Sequence, residues 1–223
     1  MVPILFFSCI STKSLRFTQK TDDVLSTESL KDFLEENKNP KVVLRVTEPS
    51  MDVTEGENID YLYNAIENQL LASGFIVRDR QLFNQIIQNN DNNIDYQKLK
   101  VRSDTDLIIE LTKIDSRIIY ETNKYYDKNN KVKVSKDFTY QQYGASVEFK
   151  VVMINSNEFS GIYKFNYTPC VDGCIISKSI VQLHHERRKK EREKAKAYEG
   201  VEKDELEEFM KDATQRLVHE MRS

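Results

Sequence analysis

No apolar run in this chain approaches the roughly 18 residues that a membrane-crossing helix needs, which excludes a helical membrane protein. Glycine is scarce, six in 223 residues, and loops that cradle phosphates are built from clustered glycines. The motifs of nucleotide and hydrolase sites are missing as well: there is no Walker loop, no GxGxxG, no GxSxG and no HExxH. "HHERR", which begins at His184 and His185, lacks the second histidine one turn on. Charge of one sign is also lacking. A net charge of -3 gives no field that would draw in nucleic acid or an acidic surface over the whole molecule. These absences point to a non-catalytic chain with no cofactor, no metal and no nucleic-acid partner.

What is present describes a soluble globular chain with highly solvated segments: 39% hydrophobic and 31% charged residues. Its length has room for one domain of ordinary size and tails. The three cysteines divide unevenly. Cys170 and Cys174 lie four apart in "TPCVDGCII", and Cys9 stands alone after the apolar start "MVPILFFS". That start reads either as a short core strand or as a signal segment, because a run this short has no diagnostic periodicity.

The stretch "ILFFSC" resembles the lipobox of lipoprotein signal sequences, in which a small residue precedes a cysteine that is lipidated and becomes the first mature residue. A leader also carries a basic residue, and a start codon further upstream would supply it. On this reading Cys9 is the lipidation site and the chain lives where disulfides persist. Cys170 and Cys174 then form a natural pair, with Pro169 and the Asp172-Gly173 dipeptide predicting the tight turn between them. Two thiols are too few for a metal site, and His184 and His185 stand at no zinc spacing from them.

Residues 1–9 are thus expected to be the lipobox-like segment, 10–39 a polar tether, and 40–223 a single α/β domain. Within the tether only "STESLKDFLEEN" looks helical. The domain opens with a strand, "KVVLRVT", with Val42, Leu44 and Val46 on one face. A helix follows, with Thr54 and Glu57 at capping-box spacing and Gly74 as its stop. "FIVRD" predicts a short buried strand, and Asp79 caps a helix whose apolar face is Leu82, Phe83, Ile86 and Ile87. Arg78, Asp79 and Arg80 stand at the carboxyl end of that strand, where α/β sites often lie, but a cap and solvated or paired arginines account for them.

The second half alternates as strands: Leu107, Ile109 and Leu111; then Val147, Phe149, Val151 and Met153; then Tyr163, Phe165 and Tyr167. "NSNEFSG" is the hairpin turn between the last two. Residues 117–145 predict an antiparallel hairpin arm that turns at "DKNNK". A charged helical segment covers 178–200. Its block 186–196 holds seven basic and three acidic residues without interleaved aromatics, so it reads as a solvated helix rather than a nucleic-acid site. The closing helix, 203–222, places Leu206, Phe209, Met210, Ala213, Leu217 and Met221 on one face.

Three of these pieces carry a resemblance. Gly74, Phe75, Val77, Asp79, Arg80, Leu82, Ile86 and Ile87 form one. Thr105, Asp106, Leu107, Ile108 and Ile109 form the second. Val147, Phe149, Val151, Val152, Ile154, Gly161 and Ile162 form the third. In this order the chain resembles a group of bacterial envelope lipoprotein domains that includes the curli-secretion protein CsgG, the penicillin-binding-protein activator LpoB and the amino-terminal domain of TolB. The resemblance implies a mixed sheet flanked by helices, an α/β (α+β) fold. It also implies a non-catalytic factor, lipid-anchored at the outer membrane and facing the periplasm, that binds or assembles with other envelope proteins, with homo-oligomers left open.

Two expectations remain for the arm. Tyr120, Tyr125, Tyr126, Phe138, Tyr140 and Tyr143 sit among lysines, a composition that fits an interface core with a charged rim; alternatively the rings pack on their own sheet. The other functional reading is a ring-forming outer-membrane secretion pore of the curli type, to which each arm would lend a barrel hairpin. Lys124 and Lys136 would then face lipid, at about 2 to 4 kcal/mol each near the midplane.

Overall fold

Val42, Val43 and Leu44 are fully buried in consecutive positions of one strand, so that strand is covered on both faces rather than alternating between core and water. The computed structural model describes residues 13–46, 51–52, 59–88, 103–176 and 200–223. Two compact units divide the chain. The smaller takes residues 1–19, 119–143 and 168–199, and the larger takes the rest.

The larger unit is built on a mixed sheet. In chain order its strands are β2 (Asp23–Ser26), β3 (Lys41–Val46), β4 (Met51–Asp52), β5 (Ile76–Val77), β6 (Leu107–Thr122), β9 (Tyr140–Met153) and β10 (Glu158–Tyr167), ordered β2-β10-β9-β6-β3-β5 with β4 also on β6. β3 runs parallel to β6, Val42 opposite Leu107, and parallel to β5. β10 runs antiparallel to β9 and β2.

Among the described residues four helices accompany the sheet: α1 (Glu28–Glu36), α2 (Asp60–Ala72), α3 (Arg80–Gln88) and α4 (Lys203–Arg222). α4 lies on α2, α1 and the β10 and β2 strands. Tyr167 meets Phe209 with ring centroids 5.8 Å apart, and the Tyr163 hydroxyl donates to Ser26 Oγ at 2.9 Å. On another part of the sheet Phe83 of α3 closes over Val43, Ile108, Val152 and Ile154. This explains why Ile108 is as buried as Leu107 and Ile109. No described helix is long and apolar enough to cross a membrane.

Local signals account for several boundaries. α2 ends in a Schellman arrangement: the Phe75 amide donates to Leu70 O at 3.1 Å, the Gly74 amide to Leu71 O at 3.0 Å, and Gly74 takes φ +87°. Asp79 caps α3 as expected, accepting from the Leu82 amide at 2.7 Å. The turn between β9 and β10 lies at 154–157 with Asn157 left-handed.

The structure also corrects the sequence reading. Over its described part, the segment read as a tether is folded: residues 13–36 form a strand, β2 and α1, with Leu15, Leu30 and Leu34 buried. The polar composition hid this because so few apolar side chains are needed where others supply the partner surface. β5 is an edge strand with Ile76 exposed, not a buried one. Leu82 is 58% exposed because Phe83 alone of that pair turns inward. α2 starts at Asp60 with no side-chain cap, and the proposed capping residues Thr54 and Glu57 lie outside the described residues, as do Cys9 and 178–199.

Candidate interaction surface

The smaller unit holds both features that the sequence singled out after residue 100, the disulfide and the aromatic arm. Four short strands make its sheet: β1 (Lys13–Leu15), β7 (Lys124–Tyr126), β8 (Val132–Val134) and β11 (Cys174–Ile176), ordered β11-β1-β7-β8. The arm does turn at "DKNNK", and Asp127 organises that turn. Its carboxylate accepts from the Asn129 amide at 2.9 Å and the Lys131 amide at 3.0 Å, while Asn130 adopts the left-handed conformation at φ +58°. The Lys131 amide, above all, holds the Asp127 carboxyl below its ordinary value of 3.8.

The arm is more than an isolated hairpin. β7 pairs with β1, Ser14 opposite Tyr126, and β1 pairs with β11, Leu15 opposite Cys174. Cys170 and Cys174 are joined in a disulfide with Cα atoms 4.9 Å apart. Cys170 is left-handed at φ +57° and Gly173 lies at φ +104°, so a tight turn feeds β11. A Cβ on Gly173 would also stand 3.3 Å from Arg16 Nε.

Strand alternation sorts the six aromatic residues onto different faces. Tyr125 meets Tyr140 edge-on at 6.4 Å and lies under the Lys13 ammonium at 4.8 Å, on the face that buries Leu15. Burial there, then Tyr125, pushes the Tyr140 hydroxyl up from its ordinary 10.0. Tyr126 points the other way, under the Arg16 guanidinium at 4.8 Å. Tyr120 packs edge-on against Phe17 at 5.7 Å and hydrogen-bonds Thr168 Oγ1 at 3.1 Å. Phe138 and Tyr143 are half-buried. The rings are thus shared between packing within the unit and a partly open face.

The register defines that open face residue by residue. Ile175, Ser14, Tyr126 and Val132 are successive cross-strand partners, and Lys124 with Val134 adds the next pair. Ile175 is 68% exposed, Val134 59% and Val132 52%. From sequence the chain reads as helical from Ile175 onward, whereas Ile175 lies in the strand β11. Val132 and Val134 entered only through the pore alternative, on the lipid-facing side of the hairpin strand that also carries Lys136. Their alternation in "KVKV" was the available signal.

A second concavity lies in the larger unit, a cavity of about 350 Å³ lined by Val77, Arg78, Asp79, Leu82, Phe83, Ser103 and Asp104. Its charged groups are already committed. Asp104 takes the Lys41 ammonium at 2.7 Å and the Arg78 guanidinium, and Asp79 is spent on its helix. The Lys41 hydrogen bond, foremost, holds the Asp104 carboxyl below the usual carboxylate range. Arg80 turns elsewhere, over the Tyr63 ring at 4.5 Å and 3.7 Å from Glu67. The arginines of the "RDR" stretch are paired, one of the two states the sequence left open.

These features define an α+β protein with a mixed sheet under helices and a small disulfide-closed antiparallel sheet. Solved structures similar to it include PelC from Paraburkholderia phytofirmans, present as a dodecamer in two crystal forms. One matches with TM-score 0.44 and 8% identity over 92% of this chain and 100% of that one. The other matches with TM-score 0.40 and 9% identity over 91% and 97%. A homolog of neuraminyllactose-binding hemagglutinin from Helicobacter pylori matches with TM-score 0.33 and 12% identity over 82% and 87%. Likenesses this distant carry neither fold nor function across to this chain. No family model matches the chain, and no curated protein does.

Proposed function

We propose that the chain is a cell-envelope lipoprotein, anchored at the outer membrane through Cys9 and facing the periplasm, that acts as a non-catalytic binding or assembly factor for another envelope protein. The observation that carries this reading is the Cys170–Cys174 disulfide in the small sheet. Such a bridge persists in an oxidising compartment, and an exported chain is the setting in which "FFSC" has meaning as a lipobox. The likeness to the CsgG, LpoB and TolB group supplies the kind of work, assembly with envelope partners. The secretion-pore alternative gains little from the arm as folded: β7 continues β6 after a break at Asn123, but β8 has three residues and is separated from β9 by 135–139, against roughly nine to eleven continuous residues for a membrane-crossing strand.

Fractionation of cells carrying the wild type or Cys9→Ala tests the anchor, with a mass measurement of the peptide that begins at Cys9. The wild type is expected acylated and with the membranes through a high-salt wash, the variant released by that wash. Both chains appearing as soluble protein would defeat the lipoprotein reading. Crosslinking in native membranes followed by capture then identifies the partner.

A further inference from the structure

Among the described residues nothing of its own unit covers the open face of the small sheet, and the covalent chain says what lies near it. Only Ile10, Ser11 and Thr12 separate Cys9 from Lys13, the first residue of β1. An extended chain spans at most about 3.6 Å per residue, so the Lys13 Cα stays within roughly 14 Å of the Cys9 Cα whatever path the link takes. A lipid on Cys9 therefore holds β1, and the sheet it pairs into, at the membrane surface.

The chemistry of the face suits that position. Val132, Val134 and Ile175 lie across it with Tyr126 between them. Five of the eleven exposed large apolar side chains among the described residues belong to this unit, although it is the smaller one. Its described residues carry seven cations (Lys13, Arg16, Lys124, Lys128, Lys131, Lys133 and Lys136) against four carboxylates, in a chain whose net charge is -3. Apolar side chains with an amphipathic ring between them and long cationic side chains around them match the boundary between acyl chains and anionic headgroups. A lysine on the edge strand β8 also disfavours a second strand adding there.

We propose that this face, formed by Val132, Val134, Ile175 and Tyr126 and rimmed by Lys124 and Arg16, rests on an anionic phospholipid surface and fixes how the anchored protein is oriented. This rests on the reading of Cys9 as the lipid anchor. The anchor need not act alone, since one lipid signal and a basic, apolar patch reinforce each other.

The chain contains no tryptophan, so a single introduced indole reports its own surroundings. Val134→Trp, Ile175→Trp and, as a control, Leu71→Trp on α2 are made in the full chain, purified with its native Cys9 modification and reconstituted into vesicles of phosphatidylethanolamine and phosphatidylglycerol. The first two indoles are expected to shift their emission to the blue and resist aqueous quenchers, and the control to do neither. In the Cys9→Ala chain, binding to the same vesicles is expected to fall at least about tenfold when Val132, Val134 and Ile175 become Ser. It should fall similarly with Lys124→Glu and Lys131→Glu. An acylated chain whose indoles at 134 and 175 stay in water overturns the surface and leaves the anchor standing. So does a blue shift that grows with protein concentration without vesicles, which would name a second copy as the occupant. An unacylated Cys9 overturns both readings.

Discussion

Gly161 shows what a single missing side chain does here. It sits at the register shift of β10 against β9, and a Cβ added there would stand 2.7 Å from Leu25 O on β2 and 2.8 Å from Tyr163 Cε2. Backbone on one side and a fully buried ring on the other leave nothing cheap to move. Gly161→Ala is expected to cost about 1 to 3 kcal/mol, read as a lower midpoint in chemical denaturation; an unchanged midpoint would show that β2 gives way freely. Asp127 acts through charge instead. Its carboxyl is depressed in the folded hairpin, mainly by the Lys131 amide, so its contribution is fully present above the ordinary value of 3.8 and is lost as pH falls through the lower folded value. Protection of the Lys131 amide against hydrogen exchange, taken relative to its intrinsic rate at each pH, is expected to be lost as pH falls below the ordinary carboxylate value, and Asp127→Asn should already lack it at neutral pH. From sequence, "DKNNK" declared the turn, whereas no local pattern announced the crowding at Gly161, which depends on a strand some 135 residues earlier.

At the scale of elements, β7 separates two neighbouring tyrosines that the sequence could only treat alike. Tyr125 faces Leu15 and Tyr140, and Tyr126 faces Val132 and Ile175. Tyr125→Ser is expected to loosen the small sheet, raising exchange at β1 and β8 amides. Tyr126→Ser should leave that exchange nearly unchanged and weaken only contacts made by the open face. Equal losses from both would mean that the alternation does not divide the sheet's two faces as described. The same comparison shows why legibility varied. α4 was readable to its ends because twenty residues of 3.6-residue periodicity leave little ambiguity. β3, the Gly74 stop and the Asp79 cap were readable because each rests on neighbours in sequence. β1 was not: three residues, "KSL", become a strand because β7 and β11 lie on either side of them, and strand formation of that kind is decided by context. Of the candidate surface, the disulfide and the aromatic stretch were legible, and the apolar band that crosses four strands was not.

Over the whole molecule, the two units do not share their means of stabilisation. The larger holds the extensive core under α2 and α4, while the smaller has, among its described residues, short strands of its own, one deeply buried apolar strand residue in Leu15, and a covalent bridge. A five-residue loop closed by a disulfide removes chain entropy worth about 2 kcal/mol at most. That is small beside a large core but a substantial share of what three-residue strands can hold. Reduction is therefore expected to act locally. Hydrogen exchange after treatment with a thiol reductant should rise in peptides from 13–19, 119–143 and 168–176, while peptides from β3, β10 and α4 keep their protection. Cys170→Ser with Cys174→Ser should reproduce the same map without reductant. A rise spread evenly over β3 and α4 would instead mean that the disulfide supports the entire chain, and the small sheet could not then be treated as a separately stabilised surface.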